Sequence, residues 1–129
     1  MKINRGREAG VPSERRSETF TGEVWADSVL ESTGRVVVNN VFFAPGARTH
    51  WHRHQEGQFL LVTSGEGRIA SRGGSVESMG VGDTVWIPPD EEHWHGAGPG
   101  SYMVHLAVSL DRTEWLEPVS DEDYDRGES

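Results

Sequence analysis

Histidines at alternate positions of two short segments predict a metal site. His50, His52 and His54 lie in the first segment, and His93 and His95 lie in the second. Alternate residues of a β-strand point to the same face, so each segment can present two imidazoles to one cation. One strand can hold the cation from one side only. The remaining ligands must therefore come from other segments.

Gln58 and His93 are placed to complete a set with His52 and His54. Nitrogen and oxygen ligands of this kind bind first-row divalent metals well. An amide oxygen adds no charge, so the full divalent charge remains available as a Lewis acid. Four protein ligands with open positions suit octahedral manganese, iron(II), cobalt or nickel better than zinc, which stays an alternative. We expect one such ion per chain and predict that His95, beside a turn, supports or packs near the site rather than binding the ion.

His105 is the candidate for moving a proton. Met103, His105, Ala107 and Ser109 share one face of the last predicted strand, and this mixture of polar and apolar groups is typical of a pocket wall. The alternate residues between 102 and 108 are apolar and predict a packing face. An imidazole with a pKa of about 6.5 can take a proton from a metal-acidified hydroxyl at neutral pH. The alternative is a core histidine that is hydrogen-bonded to a neighbouring strand.

The same alternation selects side chains that would contact a small-molecule substrate. Asn39 and Val41 share one face of a predicted strand, and Leu60 shares its face with Gln58. His50 is expected either above the metal or at the surface near the mouth of the cavity. The predicted substrate-binding set is Asn39, Val41, His50, Leu60, Met103 and Ser109.

Short β-branched and aromatic runs, separated by glycine and proline, predict an all-β sandwich or barrel. The predicted strands cover residues 20–25, 35–43, 49–51, 58–63, 67–71, 84–88 and 102–110. A short helix is expected at 120–124, with Ser120 as its N-cap. Three parts follow: a flexible polar arm at 1–18, the barrel at 19–119 and an acidic C-terminal tail at 120–129.

Composition narrows the function classes. The chain has 129 residues, 21 acidic and 12 basic, and a net charge of −9, which disfavours nucleic acid as a partner. The absence of cysteine excludes disulfides and thiolate chemistry. No apolar run approaches the ~20 residues that span a bilayer, and no signal-like segment follows the N-terminus. We expect a single-domain cytoplasmic protein that does not associate with membranes.

Two spaced motifs resemble those of the cupin superfamily. Gly46, His52, His54 and Gly65 match the first motif, with Gln58 where the family usually has glutamate. The second motif is matched by Gly82, Pro88 and His93, while Asp90 replaces a glycine and Ala97 an asparagine. The resemblance implies a jelly-roll barrel holding one divalent metal through His52, His54, Gln58 and His93.

Further segments are similar to the bacterial manganese-dependent cupin hydroxynitrile lyases, which are related to proteins labelled as carboxymuconolactone-decarboxylase-associated cupins. The matching segments are 20–24, 45–49, 51–54, 57–58, 82–86, 93–97 and 105–107. The resemblance implies manganese, carbon–carbon cleavage of a cyanohydrin and a proton moved by His105. His50 departs from the family, where a small residue is expected, so the substrate stays open.

Two other functions remain open at the level of sequence. An iron(II) cupin dioxygenase would consume oxygen, and a non-catalytic accessory or sensor cupin would bind a small molecule only. Barrels of this type leave sheet edges open. We therefore expect a homodimer in which the arm and the strand at 20–25 cover these edges.

Overall fold

The computed structural model describes residues 1–126, and nearly all regular structure in this range is β-strand. The strands are β1 (Glu14–Arg16), β2 (Phe20–Thr21), β3 (Val24–Thr33), β4 (Val36–Phe43), β5 (Arg48–Thr49), β6 (His52–His54), β7 (Gln58–Gly65), β8 (Gly67–Ser71), β9 (Glu77–Met79), β10 (Thr84–Ile87), β11 (His93–Ala97), β12 (Met103–Leu110) and β13 (Thr113–Trp115). Helix α1 (Asp121–Asp125) follows them, with Ser120 as its N-cap. The prediction of an all-β chain with one short C-terminal helix is confirmed.

The strands form two antiparallel sheets. The first sheet has the order β1-β3-β4-β12-β7-β10, and the second has the order β13-β6-β11-β5-β2, with β8 between β11 and β9. Neighbours such as β4 and β12 are distant in sequence, as in a jelly roll. The site residues lie between the sheets, on β4, β6, β7, β11 and β12.

Apolar side chains fill the barrel on either side of the site. The larger core cluster includes Val24, Phe43, Val62 and Met103, and the smaller one consists of Leu60, Ile87 and Ala107. A third cluster lies on the opposite side of the second sheet, where Trp51 and Trp94 pack with Val119 and Tyr124. These two tryptophans pack away from the site, whereas Trp86 is 53% exposed.

The C-terminal segment is anchored by Tyr124. Its hydroxyl donates a hydrogen bond to the Ala97 carbonyl at 2.6 Å. The guanidinium carbons of Arg48 and Arg68 lie over its ring, 4.5 and 4.8 Å from the ring centre. The segment expected to be an acidic tail therefore packs on the barrel up to Tyr124, while residues 127–129 of that tail lie outside the described range.

Several strands differ from the prediction. β1 lies inside the segment expected to be an arm and pairs with β3, which continues to Thr33. The predicted strand ranges do not include β6, β9, β11 or β13, although strand geometry was assumed for the paired histidines of β6 and β11. Runs of three to five residues rich in His, Gly or Glu carry little periodic signal. None of the helical structure in residues 1–126 has the length and apolar character needed to cross a membrane.

Candidate metal centre

Five of the six histidine rings meet between the two sheets. His52 and His54 come from β6, His93 and His95 from β11, and His105 from β12. The ring centres of His52 and His93 are 4.2 Å apart, and those of His95 and His105 are 4.7 Å apart. Each of the five side chains is buried. Burying five ionisable rings is costly unless hydrogen bonds or a metal satisfy their nitrogens.

Backbone carbonyls fix the protonation of two of these rings. The Nδ1 of His52 lies 2.9 Å from the carbonyl oxygen of His50, and the Nδ1 of His93 lies 2.9 Å from that of Glu91. Because a carbonyl oxygen can only accept, both Nδ1 atoms carry the hydrogen and both Nε2 atoms keep a lone pair. An outer hydrogen bond of this kind is typical of histidines that bind metals.

His54 has an equivalent outer contact, since its Nδ1 lies 2.9 Å from the hydroxyl oxygen of Thr113. Its Nε2 is buried and has no hydrogen-bond partner among residues 1–126. A buried polar atom without a partner costs about 1–3 kcal/mol. A cation bound at this nitrogen would satisfy it.

Gln58 brings an amide oxygen to the same place. Its Oε1 lies 3.0 Å from the Nε2 of His93, and its Nε2 donates to the Ser109 hydroxyl at 3.1 Å. An amide oxygen facing a nitrogen lone pair is repulsive unless a cation lies between them. Two ligand atoms that are each about 2.1 Å from a cation and at right angles to one another are about 3.0 Å apart. The arrangement of Gln58 and His93 therefore fits a bound divalent metal.

The amide of Gln58 also has a reversed orientation that suits the protein without metal. In that orientation its NH2 group would donate to the Nε2 of His93, and its oxygen would accept from the Ser109 hydroxyl. Ser109 supports both orientations, because a hydroxyl can accept or donate. Metal binding and amide orientation are therefore linked.

A different group of three histidines could also hold a metal. One ligand nitrogen from each of His52, His93 and His95 lies within 4.8 Å of the other two. The sequence predicts that His95 supports the site and does not bind the metal. In this group, His95 takes the place of His54 as the third histidine ligand. Its Nδ1 lies 2.9 Å from the Nε2 of His105, and its own Nε2 is buried without a partner in the described part of the chain.

Burial lowers the pKa of all five rings. The pKa of His105 falls to about 4 because of burial, and that of His54 falls to about 4 because of burial and then the charge of His93. Burial also holds the pKa of His52 and of His95 well below the ordinary value, and lowers that of His93. All five rings are therefore neutral at pH 7, as metal ligands and proton acceptors must be.

A cavity of about 240 Å³ adjoins these rings. His52, His54, Gln58, His95 and His105 contribute to its lining. The remaining lining includes apolar side chains such as Val41, Phe43, Ala107 and Trp115 and the polar side chains Asn39, Ser109 and Thr113. Ligand pockets usually measure about 300–1,000 Å³, so the cavity suits a small, mostly apolar molecule with a few polar groups.

The predicted substrate-contacting residues separate into two sets. Asn39, Val41 and Ser109 line the cavity, as does His105. Leu60, Met103 and His50 do not line it, which corrects the sequence-based placement.

Each of these three residues has a physical reason to lie elsewhere. Leu60 packs against Ile87 and Ala107, and Met103 is buried in the larger core cluster. The alternation of side chains shows which face of a strand a residue lies on, but it does not show how far along the barrel that residue lies. His50 is half-exposed, because the chain leaves strand geometry between β5 and β6 and the alternation from His52 no longer holds.

Thr113 and Trp115 were missed by the sequence analysis. β13 pairs with β6 and brings Thr113 opposite His54 and Trp115 opposite His52, with the Trp115 and His52 ring centres 4.7 Å apart. The alternation of Thr113 and Trp115 was the available signal, but three residues are too few to predict a strand.

Comparisons with known proteins agree with this architecture. A family model described as "Cupin domain" matches residues 39–108. A protein of Granulicella tundricola named (R)-mandelonitrile lyase is 45% identical over an alignment of 116 residues, and the match covers 85% of this chain and 88% of that protein.

Solved structures show the same fold. A cupin-like protein from Thermotoga maritima has a TM-score of 0.84 and 38% identity, covering 92% of this chain and 95% of its own. The polyketide cyclase RemF from Streptomyces resistomycificus has a TM-score of 0.73 at 21% identity, and the match covers 96% of this chain and 92% of that chain. At this identity the likeness supports the fold alone.

Proposed function

The chain belongs to the cupin family, and on this premise we propose that it is a metal-dependent lyase that cleaves a small cyanohydrin-like hydroxy compound. The observation that carries the proposal is the His95–His105 pair, which lines the cavity beside the candidate metal ligands. The 45% identity to a protein named as a mandelonitrile lyase supports this reaction class.

His52, His54, Gln58 and His93 would hold one divalent ion, and manganese is our choice among manganese, iron, cobalt, nickel and zinc. Such an ion, when bound, acts as a Lewis acid and makes a nearby substrate hydroxyl more acidic. The three imidazoles and the amide are all neutral, so the ligands leave its charge undiminished. The apolar part of the cavity holds the substrate and excludes water.

His105 would take the hydroxyl proton at Nδ1, an atom that is buried and has no hydrogen-bond partner in the described chain. This atom has a free lone pair only when the Nε2–H of His105 donates to the Nδ1 of His95. The bond between the hydroxyl-bearing carbon and the nitrile carbon then breaks, and its electron pair leaves with cyanide. His105 returns its proton to cyanide, which yields hydrogen cyanide and an aldehyde.

The tautomer of His105 also decides whether His95 can bind a metal. If His95 accepts at Nδ1, its Nε2 carries the hydrogen and cannot bind a metal. If instead His95 binds the metal through Nε2, its Nδ1–H donates to His105, and the Nδ1 of His105 loses its free lone pair. A base at His105 and a metal ligand at His95 are therefore mutually exclusive, which favours His54 as the third histidine ligand.

The test is turnover of mandelonitrile, followed by the absorbance of benzaldehyde in protein loaded with manganese. We expect His105→Ala to lower kcat by at least about 100-fold, the usual contribution of general acid–base catalysis, while its metal content is unchanged. His50→Ala is the matched control, because this histidine lies outside the cavity, and it should keep its activity. Full turnover in His105→Ala would refute the assigned base.

A further inference from the structure

The amide side chain of Asn39 lines the cavity and has no hydrogen-bond partner among residues 1–126. Its amide can therefore offer two N–H donors and a carbonyl oxygen to a bound molecule. Most other polar side chains of the lining already bind another residue. These pairs are Thr49 with His95, Ser109 with Gln58, Thr113 with His54, Arg16 with Glu14 and Asp111 with Arg35.

The strand register places Asn39 close to the proposed base. Between β4 and β12, Val41 is paired with His105 and Asn39 is paired with Ala107. Asn39 and His105 are therefore diagonal neighbours on one face of the sheet, and such neighbours are about 7–8 Å apart. The side chain of Ala107 ends at Cβ and leaves the space between them open. Asn39 and His105 can thus contact opposite ends of one small molecule.

Thr19 also lines the cavity without a side-chain hydrogen bond in the described chain, but its position is different. It precedes β2, which lies at the edge of the second sheet, and its carbonyl accepts from the His50 amide. Asn39 lies on the sheet that carries His105, one residue pair away from it. Asn39 is therefore the better placed of the two to contact a group that exchanges a proton with His105.

In the proposed reaction, the leaving cyanide is the group that exchanges this proton. The electron pair of the broken carbon–carbon bond leaves with cyanide, and His105 protonates the cyanide carbon. Because cyanide is linear, its nitrogen points away from His105 and carries part of the negative charge. A donor at this nitrogen binds more strongly in the transition state than in the substrate, where the nitrile is neutral. Such a donor therefore accelerates the cleavage.

We propose that Asn39 is a further catalytic residue, whose side-chain NH2 donates a hydrogen bond to the nitrogen of the leaving cyanide. The inference rests on the proposed lyase function and adds that the nitrile end of the substrate faces β4. Asn39 transfers no proton, so its hydrogen bond forms with the nitrile and ends when hydrogen cyanide leaves. The rest of the substrate then faces the second sheet, where the ring centres of Phe20 and Trp115 are 5.4 Å apart.

Water is the alternative partner of this amide. Asn39 also borders a second cavity of about 460 Å³, which lies beneath the N-terminal residues Val11, Pro12 and Glu14. A side chain that only binds water there would not affect the chemical step. The two roles therefore differ in their effect on kcat.

The test compares Asn39→Leu with Asn40→Leu in manganese-loaded protein. Leucine is similar in size to asparagine but has no donor. Asn40 is the matched control, because it follows Asn39 on β4 and points to the outer face of the sheet, where it is paired with Asp27 and Leu106. Asn39→Leu should lower kcat for mandelonitrile by at least about 10-fold and change KM by less than about threefold. Asn40→Leu should keep both constants.

Asn39→Asp provides a second variant of almost unchanged shape. Its carboxylate can only accept hydrogen bonds and adds a negative charge beside the leaving anion. It should therefore lower kcat further than Asn39→Leu does. Far-UV circular dichroism and manganese content identify a variant that fails to fold, and Asn39→Asp keeps the test valid if Asn39→Leu misfolds.

A binding measurement separates this inference from the reaction class. Phenylacetonitrile has a nitrile but no hydroxyl, and benzyl alcohol has a hydroxyl but no nitrile. In NMR titrations of metal-free protein, Asn39→Leu should weaken the binding of phenylacetonitrile by at least about threefold and leave that of benzyl alcohol unchanged.

A kcat for mandelonitrile in Asn39→Leu equal to that in Asn40→Leu would overturn the role of Asn39 and leave the lyase proposal intact. The opposite case is a wild-type protein that does not cleave mandelonitrile, although Asn39→Leu selectively weakens the binding of phenylacetonitrile. That result would refute the reaction and support the contact between Asn39 and the nitrile.

Discussion

At the scale of single residues, the site depends on neutral side chains whose hydrogen bonds fix where their lone pairs point. The carbonyls of His50 and Glu91 set the tautomers of His52 and His93, and Ser109 contacts the amide of Gln58. Sequence motifs identified the residue types but could not give the tautomers, because the outer partners come from turns and from other strands. For the same reason the contact between His95 and His105 was not predicted.

The uncharged ligand Gln58 leads to a prediction about metal affinity. Gln58→Glu replaces an amide dipole with a negative charge, so it should bind manganese at least about tenfold more tightly, a gain of about 1.4 kcal/mol. Gln58→Leu has a similar size but no ligand oxygen and should bind more weakly than wild type. Isothermal titration calorimetry with manganese gives the three affinities. Equal affinities in all three proteins would exclude Gln58 as a ligand.

At the scale of elements, short strands bring the site together. β6, β11 and β13 are three to five residues long, yet β11 pairs with β6 through His93 and His52 and carries His95. Longer strands with regular alternation, such as β4, β7 and β12, were largely predicted from sequence. The short strands were not, because tertiary pairing rather than local preference stabilises them. Alternation also could not show that the second face of β12 points outwards.

Gly65, at the end of β7, provides a test of the barrel geometry. A Cβ atom at this position would lie 1.9 Å from the carbonyl oxygen of Tyr102, and the residue has a φ of +75°. Gly46 has a φ of +79° but open space around it. Gly46→Ala should therefore cost only the left-handed strain of about 1–2 kcal/mol, and Gly65→Ala should cost several kcal/mol more. Urea unfolding compares the two variants, and equal losses would contradict the close approach of β7 and the Tyr102 carbonyl.

At the scale of the whole molecule, the buried histidines link stability to pH. Folding lowers the pKa of His105 and of His54 from about 6.5 to about 4, so the unfolded chain binds more protons between these values. The stability contributed by the neutral rings is complete above about pH 6.5 and is lost as the pH falls towards about 4. Lowering the pH therefore destabilises the fold.

Metal-free protein should lose about 1.4 kcal/mol of unfolding free energy for each of His54 and His105 between pH 7.5 and pH 5.5. Urea unfolding at the two pH values measures the loss, and the range stays above the titration of ordinary carboxylates. His105→Gln, which lacks one of these rings, should lose less than wild type. A stability that is unchanged or higher at pH 5.5 would show that the rings are not buried in their neutral form.

The most direct measurement of the central claim is the manganese content of two matched variants after loading and gel filtration. If His52, His54, Gln58 and His93 hold the ion, His54→Ala should lose it, while His95→Ala should keep about one ion per chain, as wild type does. Loss of manganese from His95→Ala with retention in His54→Ala would contradict this ligand set. That result would assign the metal to His52, His93 and His95 and leave His105 without the lone pair that its proposed role requires.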